Sequence, residues 1–85
     1  MKAAHAAMGL LSDDALMARI AAGDEGAFAV FVARHVDRLM AVAVRVMGSR
    51  EAAEDAVQEA MLQLWRHAGR FDAGRAKATT WLYRI

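Results

Sequence analysis

The chain has 85 residues, room for one small domain. Its 11 bases and 10 acids leave a formal net charge of +1, so overall charge says nothing about a nucleic-acid partner and the distribution has to be read instead. Cysteine is absent, which excludes disulfides and cysteine-ligated metals and suits a cytoplasmic protein; proline is absent too, so no helix is broken from within.

Residues 1–11 carry one Lys and a short Ala/Leu stretch, superficially like the start of a signal peptide. Ser12-Asp13-Asp14 cuts that stretch short and no small-residue cleavage site follows, so the segment reads as a frayed arm. No apolar run approaches the roughly 20 residues needed to cross a bilayer.

Ser12 or Asp13 can cap a first helix, with Asp13 and Asp14 complementing its positive end. That helix is expected to run to about Ala22 and to stop at Gly23. Asp24 caps a long second helix over about 25–47. Phe28, Phe31, Val32, His35, Leu39, Val42 and Val46 mark its expected inner face, and Gly48 ends it. Ser49 caps a third helix over about 50–68, with an inner stripe of Ala53, Val57, Ala60, Leu64 and Ala68. Residues 69–74 read as a loop. A fourth helix starts near Lys77, with Ala78, Leu82 and Ile85 on its inner face and Trp81 at the edge. The whole is an all-α bundle of three to four helices whose short connections make neighbours antiparallel. The helical pattern is still running at Ile85, with no cap or polar stop, so the reading expects a piece of a longer protein.

The third helix has a second face that a solvated surface does not explain. At about 100° per residue, Asp55, Gln58, Leu62 and Trp65 fall together, away from the inner stripe and flanked by Glu59 and Arg66. Stray exposed apolar residues are common, and Trp65 could simply pack on the fourth helix. An aromatic anchor among acids and amides also describes a protein-binding surface. Glu51, Glu54 and Asp55 have a sufficient structural cause in the helix dipole; Gln58, Glu59, Leu62 and Trp65 do not.

The charge then changes sign. Glu51 to Glu59 holds four acids and no base, whereas Arg66, Arg70, Arg75, Lys77 and Arg84 follow against Asp72 alone. His67, Phe71, Trp81 and Tyr83 are interleaved, a mixture of cations and rings that suits single-stranded nucleic acid. Solvated surface charge is the competing explanation, and Phe71 is better read as closing the core. No phosphate loop, metal motif or nucleophile elbow is present, so the chain reads as a non-enzyme with no cofactor and no metal. His5, His35 and His67 lie far apart; His35 is expected to be a packed core histidine rather than a ligand.

Glu54-Asp55-Ala56-Val57-Gln58-Glu59-Ala60-Met61-Leu62-Gln63-Leu64-Trp65-Arg66-His67 resembles the core-binding segment of sigma-70-family transcription factors. Phe71-Asp72 followed by Thr80-Trp81-Leu82-Tyr83-Arg84-Ile85 resembles the start of their promoter-melting segment, and Asp24-Glu25-Gly26-Ala27-Phe28 with Arg34-His35 their opening helix. The resemblance spans about residues 12–85 and is to region 2 of the compact extracytoplasmic-function type. It implies that Asp55, Gln58, Glu59, Leu62 and Trp65 contact the β′ coiled coil of the RNA polymerase core. It also implies that Arg70, Arg75, Lys77, Thr80, Trp81 and Arg84 lie along the promoter −10 element and its separated non-template strand. In such factors a base is flipped out and held without chemistry, and an anti-sigma factor masks the same surfaces. Ala78 and Leu82 stand where primary sigma factors carry aromatics, which implies weaker melting and stricter promoter choice. Lys77 stands where relatives often have a Ser cap, which leaves the start of the fourth helix open. The loop that holds the flipped base and the domain that reads the −35 element are expected beyond Ile85. The residues alone leave a second reading open: a sigma-like adapter that binds a regulator and never touches DNA.

Overall fold

Three capped helices follow one another in the computed structural model, which describes residues 8–71 and Leu82. They are α1 (Asp13–Ala21), α2 (Glu25–Met47) and α3 (Arg50–His67), and a 3-10 turn (Ala68–Arg70) closes α3. Each α-helix begins on a side-chain oxygen that takes an otherwise orphaned backbone N–H. The Ala15 N–H donates to Ser12 Oγ (3.1 Å), that of Ala27 to Asp24 Oδ1 (3.0 Å), and that of Ala52 to Ser49 Oγ (3.1 Å). Ser12, rather than Asp13, is therefore the first cap, which leaves the Asp13 carboxylate for another task.

Glycine ends α1 and α2. At Gly23 (φ +88°) the chain turns left-handed. The Gly23 N–H donates to the Ile20 carbonyl (2.9 Å) and the Asp24 N–H to that of Arg19 (3.0 Å). Those two bonds are the Schellman pattern that satisfies the last carbonyls of a helix. Asp24 thus closes α1 with its backbone and opens α2 with its side chain, which makes an antiparallel α1–α2 hairpin. Gly48 (φ +78°) also turns left-handed and ends α2 with a single bond, its N–H donating to the Val44 carbonyl (2.9 Å). Ser49 then starts α3 at once, so α3 also runs back along α2.

The core lies where the three helices meet. Leu16, Met17 and Ile20 of α1 are buried against Ala27, Phe31 and Leu39 of α2 and Val57 and Leu64 of α3. Ala68 and Leu82 join them, and Phe71 packs half-buried against the cluster, as the sequence reading prefers. Leu82 is helical and 1% exposed. The rest of the expected fourth helix lies outside the described residues. His35 is the single buried polar residue among those described, and it has partners: its Nε2 lies 3.0 Å from Asp13 Oδ2 and its ring 4.6 Å from that of Phe31. It is a satisfied core histidine, as expected.

Two expectations need correction. Val42 and Val46, assigned to the inner face of α2, are 42% and 76% exposed. The reason is length. At 1.5 Å per residue the nine-residue α1 is about 13 Å long. Its start meets α2 at Arg34 and His35, so it cannot reach the last turns of α2. Val42 and Val46 instead border a shallow depression with Ala56 and Ala60. The second correction concerns the loop at 69–74, whose first residues belong to the 3-10 turn. There the Phe71 N–H donates to the Ala68 carbonyl (3.1 Å), an i→i+3 bond that tightens the end of α3.

Of the segment read as an arm, residues 8–11 are described. The Leu11 N–H donates to the Met8 carbonyl (3.0 Å), and Arg34 Nη2 donates to the Gly9 carbonyl (2.8 Å). Among the described residues no helix is long and apolar enough to cross a membrane.

Candidate interaction groove between the second and third helices

Helix α2 carries two apolar stripes side by side, each with a spacing of four. Ala27, Phe31, His35 and Leu39 enter the core. Phe28, Val32 and Val36 sit one residue later in each case, hence about 100° further round. They face α3 without being sealed by α1. Across from them stand Val57, Met61, Leu62 and Trp65 of α3. Between the two rows lies an open groove of about 700 Å³, with Glu25 and Gln58 as its polar lining.

The antiparallel hairpin sets the register: Phe28 meets Trp65 at one end of the groove, and Val36 and Val57 line it toward the other. Trp65 is held there by an edge-on contact with Phe28. The ring centroids are 5.2 Å apart and the planes 66° apart, within the geometry aromatic pairs prefer. The indole remains 36% exposed and Leu62 is 48% exposed. Large apolar side chains held half-open along a groove are an unfinished surface of the kind a partner completes.

Of the five residues read as core-binding, Gln58, Leu62 and Trp65 line this groove. Asp55 and Glu59 are exposed and do not line it. On the α3 wheel they lie beyond Gln58 and Leu62, so they form an acidic lip on one side. Glu59 Oε1 accepts from Gln63 Nε2 (3.1 Å), which fixes part of that lip. Glu54 is held by Arg50 Nε at 3.2 Å, an exposed pair of small energetic weight.

The sequence reading missed that α2 supplies half of the site. Phe28 and Val32 had been placed on the inner face, and Val36, Met61 and Glu25 were not singled out. The legible signal was the second 28–32–36 stripe. One stripe can enter a core beside α1; its neighbour, rotated by about 100°, has to face something else.

Among the basic candidates, Arg70 is exposed in the 3-10 turn, and Arg66 is exposed near the end of α3. Arg75, Lys77, Thr80, Trp81 and Arg84 lie outside the described residues. The described portion therefore brings the groove residues together and shows where the basic segment begins. Among the described residues no group of three or more His, Asp or Glu side chains is placed to hold a metal.

The family model for sigma-70 region 2 matches residues 31–85, which includes all of α3 and most of α2. The chain belongs to the sigma-70 family. Its curated relatives of the same family include the extracytoplasmic-function (ECF) sigma factor SigK of Mycobacterium bovis, 36% identical over 69 residues, covering 81% of this chain and 37% of the relative. The ECF sigma factor SigW of Bacillus subtilis is 40% identical over 63 residues, covering 74% of this chain and 33% of the relative. The RNA polymerase sigma-H factor of Pseudomonas aeruginosa is 34% identical over 73 residues, covering 86% and 37%. This sigma-70 region 2, of the extracytoplasmic-function type, thus spans about a third of the length of these curated relatives. No solved structure matches the chain.

Proposed function

We propose that this sigma-70 region 2 is the polymerase-binding part of a transcription initiation factor. The α2–α3 groove receives the coiled coil of the β′ subunit of the RNA polymerase core, and the basic segment from Arg66 to Arg84 runs along the promoter −10 element. The observation that carries the first half is the half-exposed Trp65, braced on Phe28 in an apolar groove with an acidic lip. Interface energy concentrates in such anchors, Trp above all, when they enter a pocket or cap a groove on the partner. Gln58 supplies a neutral hydrogen-bonding group within the apolar wall. Asp55 and Glu59 place negative charge beside it, which favours a partner with basic residues flanking an apolar helical face.

The second half rests on the change of sign after Trp65 and on the interleaved rings at His67, Trp81 and Tyr83. Cations neutralise phosphates and rings stack on unpaired bases, so this composition suits a separated strand rather than an intact duplex. The domain's part is to bind and hold; nothing in the reading requires it to make or break a bond. An anti-sigma factor would silence the protein most economically by covering the groove, since the groove is the apolar surface that has to be open for polymerase to bind.

The deciding experiment is titration of purified RNA polymerase core with the chain and with its Gln58→Ala/Trp65→Ala variant. The chain is expected to bind, and the variant to bind at least about 30-fold more weakly, the equivalent of about 2 kcal/mol. Equal binding by both would remove the groove from the interface. Binding of promoter DNA by neither the chain nor its polymerase complex would move the protein-only adapter reading to the front.

A further inference from the structure

The Phe28–Trp65 pair joins two helices at one end of the groove. Trp65 sits about half a turn from the end of α3, and its indole has no polar partner among the described residues. Its neighbours in the groove, Leu62 and Met61, belong to its own helix and cannot fix the ring from the far side. The wall opposite is α2, and the α2 ring in contact with the indole is that of Phe28. Phe28 is itself half-buried and lies on the second stripe of α2, packed against the edge of the core cluster rather than within it.

We propose that Phe28 is a positioning residue for polymerase binding. It holds the Trp65 indole edge-on and half-exposed, so that the anchor meets its partner already ordered. This inference rests on the reading of the groove as the polymerase-binding site, and adds to it a residue from the opposite helix. The physical reason is preorganisation. A free indole samples several χ1 and χ2 states on a helix surface, and fixing it during binding costs rotamer entropy; a braced indole has lost that freedom beforehand. An edge-to-face contact is suited to the role because it is directional, whereas an aliphatic neighbour would cover the indole without selecting its orientation.

Val32 and Val36 continue the same wall but are short and β-branched, with χ1 restricted by the helix. They shape the floor of the groove rather than reach across it. Phe28 is therefore the residue whose replacement separates the two tasks, since Leu at 28 retains an apolar wall while losing the ring.

The test uses Phe28→Leu, Phe28→Tyr and Trp65→Ala for binding, and the two Phe28 variants also in a Trp81→Phe background, where Trp65 is the sole tryptophan and is excited selectively at the red edge. Helix content and thermal melting by circular dichroism confirm that each variant is folded. Phe28→Leu is expected to lower the steady-state anisotropy of Trp65 in the free chain and to weaken binding to polymerase core about tenfold. Phe28→Tyr retains the ring edge and is expected to restore both. Two results would overturn the inference while leaving the groove reading intact. One is wild-type affinity for Phe28→Leu while Trp65→Ala binds weakly. The other is weakened binding by Phe28→Leu with the Trp65 anisotropy unchanged, which would make Phe28 a direct contact instead. Undiminished binding by Trp65→Ala would overturn the groove reading itself, and this inference with it.

Discussion

Asp13 Oδ2 lies 3.0 Å from His35 Nε2, and the other oxygen of the same carboxylate accepts from Arg34 Nη1, also at 3.0 Å. One acid at the start of α1 thus holds two consecutive residues in the middle of α2. The Ser12 hydroxyl makes this possible by taking the capping role that Asp13 could have filled. The joint fixes how far α1 extends along α2, and so which apolar stripe of α2 is sealed and which is left to form the groove.

Removing Asp13 would leave a buried imidazole nitrogen without its partner. Such losses cost about 1–3 kcal/mol, whereas removal of both partners of a buried pair is far milder. Asp13→Ala is expected to lower the melting temperature by roughly 5–20 °C, given about 4–8 °C per kcal/mol for a domain of this size. The Asp13→Ala/His35→Leu double variant should melt well above the sum of the two single losses. Strictly additive losses in a thermal double-mutant cycle would show that the two side chains are not coupled. The Arg34 contact is more exposed and accounts for the smaller share, as surface ion pairs do.

Leu62 gives the clearest separation of binding from folding. It is 48% exposed on the rim of the groove and belongs to neither the buried cluster nor the half-buried shell around it. Leu62→Glu places a charge where the proposed interface is driest, while the folded chain leaves that charge in water. Melting should change by no more than about 0.5 kcal/mol. Polymerase-core affinity should fall at least about tenfold, the usual scale for an anchor neighbour charged in place. Loss of helix by circular dichroism would mean that Leu62 belongs to the core after all.

The glycines divide into two kinds by backbone conformation alone. Neither Gly48 nor Gly69 has an atom within 4 Å of where a Cβ would stand, so space does not distinguish them. Gly48 has φ +78° and ends α2, whereas Gly69 has no positive φ and sits in the 3-10 turn. Gly48→Ala is expected to destabilise the chain by about 1 kcal/mol, because a side chain in the left-handed region is strained. Gly69→Ala should be neutral or slightly stabilising through the reduced entropy of the unfolded chain. Chemical denaturation of the two variants side by side decides it; equal destabilisation would mean that the turn at Gly48 relaxes freely.

Capping chemistry made the helices legible. Ser12, Asp24 and Ser49 each precede an apolar rhythm, and Gly23 and Gly48 close two of them, so α1 to α3 are found within a residue of where those signals place them. The face of α2 was harder to read. Its apolar residues are nearly continuous from Ala27 to Met47, and a helix apolar on several sides does not reveal which side a short partner covers. Only the length of α1 and the Asp13–His35 joint settle that, and both are tertiary facts. For the same reason Val46 was assigned inward and is exposed, while Phe28, also assigned inward, packs half-buried against the core and touches Trp65 at the groove as well. On α3 the pattern was more informative, because Gln58, Leu62 and Trp65 had no local cause such as a cap or a dipole to explain them.

The basic segment separates the two readings of function through its dependence on salt. Each phosphate neutralised on a single strand contributes about −0.7 to the slope of log affinity against log salt concentration. Arg75 and Lys77 are adjacent to the interleaved aromatics and have no acid between them. If both meet phosphates, the polymerase complex of the Arg75→Glu/Lys77→Glu variant should bind forked −10 promoter DNA with a slope shallower by about 1.4 or more. Its affinity for polymerase core in the absence of DNA should be unchanged, since core contact is assigned to the groove residues. The stacking part of the same contact predicts a different response: Trp81→Ala should weaken strand binding by about 1–3 kcal/mol at every salt concentration and leave the slope as it was. A charge-reversed variant with the parent's slope and affinity would exclude contact between this segment and the strand, and would leave a protein that uses its groove alone.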